Sequence, residues 1–140
     1  MNDGKSCFDP RAAAVAMMRW GLGSLFLIAG MRKVGDVSGF VHGVLLPSFS
    51  KTVLPPALTA AFGYGLPYVE CALGVCLLVG LCRNAALVVA GLTLLSLGFG
   101  QMLLGKADVL SSIFLYLSAT SAVLFLDEFD TWRACRCSRR

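Results

Sequence analysis

The sequence has 140 residues, of which 57% are hydrophobic and 14% are charged, and its mean hydropathy is +0.77. A soluble domain of this length is rarely so apolar, so the composition predicts an integral membrane protein and leaves no room for a soluble catalytic domain. The net charge is +4, and the basic residues lie mainly near the ends of apolar runs. Membrane topology explains that distribution better than nucleic-acid binding, and no nucleic-acid partner is expected.

Four apolar runs are long enough to cross a bilayer, which takes about 20 residues each. They predict an all-α fold, a polytopic four-helix transmembrane bundle in a single domain over residues 1–140, with helices at about 11–31, 58–81, 85–104 and 109–126. The first run follows two basic residues as a secretory signal would, but Arg19 interrupts it and no clear cleavage site follows, so a retained helix is expected. Between the first two helices, residues of about 38–46 predict an interfacial helix or loop, which is either a plain anchor or a lid.

The basic residues separate onto two sides of such a bundle. One side holds Lys5, Arg11, Arg83, Arg133, Arg136, Arg139 and Arg140, and the other holds Arg32, Lys33, Lys51 and Lys106. Because short loops rich in Lys and Arg stay on the cytoplasmic side, both termini are predicted to be cytoplasmic.

One face of the first helix is small and charged. Arg19, Gly23, Phe26, Gly30 and Lys33 fall at offsets of a continuous helical face. The glycines would let another helix approach closely, so this face is expected to contact a neighbouring helix and not lipid.

The second helix carries the carboxylate of Glu70 in an apolar run. An ionised group in hydrocarbon costs roughly 2.5–3.5 kcal/mol on insertion scales, so Glu70 is expected to have a partner or a functional role. Counting 1.5 Å per residue from each helix end places Glu70 between Arg19 and Lys33 in depth, and an Arg19–Glu70 pair is within reach. Gly63, Gly65 and Pro67 predict irregular backbone just before it.

Two interpretations of these polar residues remain open. In one, Arg19 and Glu70 are a buried pair that only fixes the first two helices. In the other, a polar pocket open toward the outer leaflet binds a quinone headgroup or a small polar substrate, with Arg19, Lys33, Glu70, Tyr68 and Tyr116 as its residues and Tyr64 nearby. In this second interpretation a quinone is the cofactor. The sequence has no haem-ligating histidine pair, iron–sulfur cysteine cluster or metal motif, so an electron-donating partner or a bound cofactor would be required.

Weaker patterns occur elsewhere. Gly91 and Gly98 predict a close-packing seam on the third helix, and a polar stripe of Ser112, Tyr116 and Thr120 is expected to face the bundle interior. The lone His42 is interpreted as a solvated interfacial residue, and Cys71, Cys76 and Cys82 as packing residues. Cys135 and Cys137 form a weak signal for a metal or a lipid.

The motif of the first helix, together with Glu70-x3-Gly74-x5-Gly80-Leu81-x-Arg83 and the Leu115-Tyr116-Leu117 helix, resembles the DoxX family over about residues 11–132. The related MauE proteins of methylamine utilisation have a similar four-helix pattern with a Pro and a Glu in the second helix. The resemblance implies a multi-pass protein of a bacterial or archaeal cytoplasmic (inner) membrane, in a family named for a subunit of a terminal or thiosulfate:quinone oxidoreductase. Other relatives act in redox homeostasis as partners of soluble enzymes.

Three functions follow as hypotheses. The first is a membrane subunit of a redox complex with a quinone or docking site, which would be an oxidoreductase only together with a membrane or soluble redox partner protein. The second is a non-catalytic membrane anchor or assembly partner for a redox enzyme. The third, less favoured, is a small-solute carrier, which would need a homo-oligomer because four helices are few for alternating access.

Overall fold

The computed structural model describes residues 10–126, and every regular element in that range is helical. Four long helices are α1 (Pro10–Val34), α2 (Pro56–Val79), α3 (Arg83–Leu103) and α4 (Ala107–Phe125), each long and apolar enough to cross a membrane. The predicted all-α, four-helix membrane fold is thereby confirmed. Cys135 and Cys137, the weak signal for a metal or a lipid, lie outside the described residues.

The core lies where the four helices meet. Its buried apolar side chains come from every long helix and surround Phe26 and Leu77, and they include Val15, Leu22, Leu73, Ala86, Leu87, Ala90, Leu94 and Val123. The outward faces carry many large apolar side chains, as expected where lipid and not water surrounds a protein. Buried polar side chains are fewer than buried apolar ones in the described residues, and each needs a partner.

Helices α1 and α2 run antiparallel and pack along a seam of glycines. A Cβ atom on Gly74 would lie 2.6 Å from the backbone nitrogen of Leu27, and one on Gly30 would lie 2.8 Å from that of Cys71. Real Cβ atoms do not approach backbone this closely, so only glycine fits at these positions. The face predicted on the first helix is thus buried against α2, with Arg19, Gly23, Phe26 and Gly30 all buried.

A short helix, Val37–Phe49, joins α1 to α2 and is called the connecting helix below. It comprises one α-helical turn at each end and a six-residue π-helix, Phe40–Leu45, in the middle. Its start is fixed by Asp36, whose carboxylate accepts a hydrogen bond of 2.8 Å from the backbone N–H of Gly39. The segment expected at about residues 38–46 is helical.

Two local expectations are wrong. Helix α2 continues through Pro67 without a break, although proline removes one main-chain hydrogen bond from a helix. Gly91 and Gly98 do not form a close-packing seam, because a Cβ atom at either position would meet only side chains, at 3.5 Å or more. Helices α3 and α4 therefore pack less closely than α1 and α2.

The predicted polar stripe on α4 faces the interior only at its far end. Thr120 is buried and Tyr116 is half-buried, whereas Ser112 is exposed. The Thr120 hydroxyl donates to the carbonyl of Tyr116, 2.8 Å away in the same helix. Of the three residues, Tyr116 packs beside the core.

Candidate functional site: a buried ion pair beneath the connecting helix

Lys33 of α1 and Glu70 of α2 form an ion pair. The Lys33 ammonium donates to both carboxylate oxygens of Glu70, each 2.7 Å away. The Glu70 side chain is 3% exposed, while that of Lys33 is 23% exposed. The carboxylate is thus enclosed, and its cation lies between the enclosed region and the surface.

The directions of the two side chains explain this pairing. A Cα–Cβ bond tilts toward the N-terminus of its own helix. Because α1 and α2 are antiparallel, Lys33 leans back along α1 into the bundle, and Glu70 leans along α2 toward the connecting helix. The two charges therefore approach each other from opposite sides.

The same rule separates Arg19 from Glu70, which corrects the pairing expected from depth alone. Arg19 leans toward the N-terminus of α1, and its Nη1 donates to the carbonyl oxygen of Leu77. Leu77 lies seven residues beyond Glu70, about 10 Å along the helix axis. Two cations on α1 thus bind α2 at two levels, and of the two only Lys33 lies beside Glu70.

Arg19 acts at the C-terminus of α2, where carbonyl groups lack partners within the helix. The helix ends at Gly80, which has a left-handed conformation with φ of 78°. The N–H groups of Gly80 and Leu81 both bond to the carbonyl of Cys76. The guanidinium supplies a donor to the next carbonyl, at the negative end of the helix dipole, and so stabilises the end of α2.

The connecting helix contributes an aromatic ring to the Lys33–Glu70 site. The Lys33 Nζ atom lies 5.5 Å from the centroid of the Phe40 ring, within the range of a cation–π contact. Next to Phe40, the side chain of Val41 is fully buried against α2. The site is therefore made of a carboxylate, an ammonium group and an aromatic ring from three successive helices.

The tyrosines predicted for this site do not enter it. Tyr68 is 60% exposed on the outer surface of α2, and Tyr116 lies on α4 beside the core. Tyr64 is also exposed and forms a hydrogen bond of 3.2 Å with the Nε2 atom of His42. Tyr64 and His42 together make an exposed polar pair at the connecting-helix end, as residues of a membrane interface commonly do.

A groove of about 230 Å³ lies elsewhere, between α3 and α4. Its lining is apolar and comprises Leu94, Leu95, Gly98, Phe99, Met102, Leu110, Ile113, Phe114 and Leu117. None of the five predicted site residues lines it. It has no charged group with which to bind a polar ligand.

Chemically, the Lys33–Glu70 site combines an acceptor, a donor and a flat apolar surface. Two of the three N–H bonds of the Lys33 ammonium are directed to Glu70, which leaves one for another acceptor. Phe40 was not predicted as a site residue, because its role depends on how the connecting helix folds back. Its place seven residues after Lys33, in an apolar segment, is the only sequence signal for it.

Comparison with known families identifies the chain. A model described as methylamine utilisation protein MauE matches residues 11–138, nearly the whole sequence. No curated protein and no solved structure shows a significant match. The match includes all four long helices and both members of the Lys33–Glu70 pair. The chain therefore belongs to the MauE family of membrane proteins.

Proposed function

We propose that this protein is a membrane subunit of a redox system and that the Lys33–Glu70 pair is the polar part of a quinone headgroup site. The observation that carries the proposal is the partly exposed Lys33 side chain, whose ammonium group lies between a buried carboxylate and the Phe40 ring. A quinone is flat, apolar and uncharged, and its carbonyl oxygens accept hydrogen bonds. These properties match an aromatic surface beside a single available N–H donor.

Family membership supports the redox part of the proposal, since the family description names methylamine utilisation. The DoxX-like pattern, with Lys33 and Glu70 in its two motifs, supports the same assignment. Reduction of a quinone takes two electrons and two protons. The site would bind the headgroup and exchange protons through Glu70, while a partner redox protein would supply the electrons.

The proposal also includes an orientation. With both termini on the cytoplasmic side of an inner membrane, the connecting helix and the Lys33–Glu70 pair lie toward the outer surface. The partner would then reach the site from that side. A quinone in the bilayer would reach it laterally, beside the exposed face of Lys33.

A second candidate function is a non-catalytic anchor or assembly partner in the same kind of system. It is favoured by the complete pairing of Glu70, whose two oxygens both bond to Lys33, next to the tightly packed Gly30. In that role the pair only holds α1 against α2. A quinone site needs the Lys33 donor beside Phe40, whereas an anchor needs only two opposite charges that pair.

The test places a fluorescent probe at the site. In a background with Trp20 and Trp132 replaced by Phe, the variant Phe40→Trp keeps an aromatic ring beside Lys33. A short-chain ubiquinone is titrated into this protein in nanodiscs. Saturable quenching is expected at residue 40, whereas Val44→Trp, on the exposed side of the connecting helix, should show only a linear collisional response.

The charge exchange separates the two functions. Lys33→Glu combined with Glu70→Lys keeps one charge of each sign at the pair but moves the donor away from Phe40. A quinone site loses saturable quenching while the melting temperature stays near that of the parent. If the exchanged pair binds quinone as the parent does, the pair is not the polar part of the site and only holds α1 against α2. If the parent shows no saturation, the anchor function is the better account. Arg32→Gln, which removes the exposed neighbouring cation, is the matched control and should change neither result.

A further inference from the structure

We infer that the connecting helix is a movable lid over the Lys33–Glu70 pair and that a notch in α2 at Gly63 holds it closed. The inference deepens the proposed function, because it assigns the control of access to the same site. It rests on how this helix contacts the rest of the protein.

The notch at Gly63 holds the middle of the connecting helix. A Cβ atom on Gly63 would lie 2.5 Å from Cδ2 of Leu45 and 3.0 Å from Cγ2 of Val41, so these side chains fill the space that the glycine leaves. Val41 is fully buried, and it is the only buried residue of the Val37–Phe49 segment. The Gly63 notch is therefore the most enclosed point of the attachment.

Two aromatic residues of the connecting helix contact other helices. Phe40 lies beside Lys33, and Phe49 approaches α3, where a Cβ atom on Gly100 would be 3.2 Å from its Cζ atom. Both phenylalanines remain half-buried. The helix thus extends across the end of the bundle from α1 to α3 with only Val41 fully buried, and segments with few fully buried residues open most readily.

The backbone of the connecting helix is also unusual. Its central six residues form a π-helix, a rare form that occurs mostly as short insertions and often at functional sites. Within it Phe40 lies beside Lys33, Val41 packs at Gly63 and His42 bonds to Tyr64, so three successive residues contact three different groups. Movement of this segment would release Phe40 from Lys33 and expose the ammonium group.

A lid of this kind suits a hydrophobic ligand with a polar head. Closure over a bound headgroup would exclude water from Lys33 and Glu70, and opening would let the ligand or a partner protein reach them. The exposed Lys33 fraction of 23% corresponds to the closed arrangement.

Chemical modification of lysines tests the lid without any quinone. Protein in nanodiscs is treated with a water-soluble acylating reagent, and the rates at Lys33 and at the exposed Lys106 are read by mass spectrometry. Gly63→Val fills the notch and should raise the Lys33 rate at least about tenfold, a change in opening free energy of roughly 1.4 kcal/mol. The Lys106 rate should not change. Gly65→Val is the matched control, because a Cβ atom at Gly65 would meet nothing within 4 Å.

A second variant loosens the same contact from the other side. Val41→Ser should also raise the Lys33 rate, whereas Val44→Ser, at a position 56% exposed, should leave it unchanged. Folding of every variant is checked by circular dichroism and by its melting curve. If neither Gly63→Val nor Val41→Ser raises the Lys33 rate in folded protein, the connecting helix is not a lid. The lysine rates and the quinone titration are independent measurements, so a negative result in one does not decide the other.

Discussion

The two helix pairs of this protein are built differently. Helices α1 and α2 meet through glycine at backbone-contact distance, whereas the glycines of α3 face side chains at ordinary van der Waals distance. Of the most apolar 18 residues in each helix, 44% are buried in α1 and 39% in α2, but only 28% in α3 and 11% in α4. The first pair is a packed unit, and the second lies mostly at the surface.

The difference shows where a small membrane protein can hold charge. Within the described residues, the Lys33–Glu70 pair and the Arg19–Leu77 contact both join α1 to α2. Close packing excludes lipid and water and fixes the geometry that a buried ion pair requires. The α3–α4 pair instead presents an apolar groove. We therefore expect substitutions in the first pair to have large effects and matched ones in the second to have small effects.

The largest effect is expected from Lys33→Met. It leaves the enclosed carboxylate of Glu70 without its cation, and removing one partner of a buried ion pair costs about 3–5 kcal/mol. Glu70→Gln should cost less, because Lys33 is partly exposed and its ammonium can turn toward the interface. Reversible unfolding in mixed micelles measures both values.

Arg32→Met is the control for that measurement, since Arg32 is the exposed neighbour of Lys33 and should change stability little. The more specific prediction is that Lys33→Met lowers the stability more than Glu70→Gln does. A Glu70→Gln variant that is less stable than Lys33→Met would show that Lys33, and not Glu70, is the group that needs its partner.

A smaller effect is expected at the glycines. Gly74→Ala places a methyl group 2.6 Å from the Leu27 backbone nitrogen, so α1 and α2 must separate. Overpacking of this kind costs about 1–3 kcal/mol. Gly91→Ala on α3 is the matched change and should not destabilise, because its methyl group would lie 3.9 Å from Leu117. Equal losses of stability at the two glycines would contradict the proposed difference between the pairs.

Much of the fold could be predicted because its determinants are local. Apolar run length gives the four helices, and the spacing from Arg19 to Gly30 gives the buried face of α1. It was harder to predict which glycines lie at close helix contacts. Gly23 and Gly30 on α1 and Gly91 and Gly98 on α3 have the same spacing of seven, yet only the first two lie at a close contact. What differs is the facing helix, and a single helix pattern does not contain that information.

The charged residues of the site could be predicted from the sequence, but which of them form a pair could not. Depth counted along the helices brought Arg19 and Lys33 both within reach of Glu70, and the direction of the side chains decides for Lys33. Tyr68 and Tyr116 were selected by chemical type, although they lie on other faces. Phe40 comes from the connecting helix, whose position depends on the Gly63 notch, a contact between distant parts of the sequence.

Arg19→Gln should have a local effect at the end of α2. The substitution shortens the side chain and removes the charge, so the Leu77 carbonyl loses its guanidinium donor at a buried position. Loss of a hydrogen bond from a charged group costs about 1.5–3 kcal/mol. Amide hydrogen exchange should rise at residues 78–82 and stay unchanged around Glu70. A rise that includes Glu70 would show that the two polar contacts of α1 depend on each other.

The smallest effect, and one of opposite sign, is expected from Gly98→Ala in the α3–α4 groove. The added methyl group would lie 3.5 Å from Cγ2 of Ile113, at a normal contact distance beside the groove. Alanine also restricts the unfolded chain and favours a helix over glycine by about 0.5–1 kcal/mol. The variant should therefore unfold at a slightly higher temperature than the parent. Glycine at this position then serves neither packing nor backbone conformation, and a loss of stability would mean that α3 and α4 approach more closely here than their contact distances indicate.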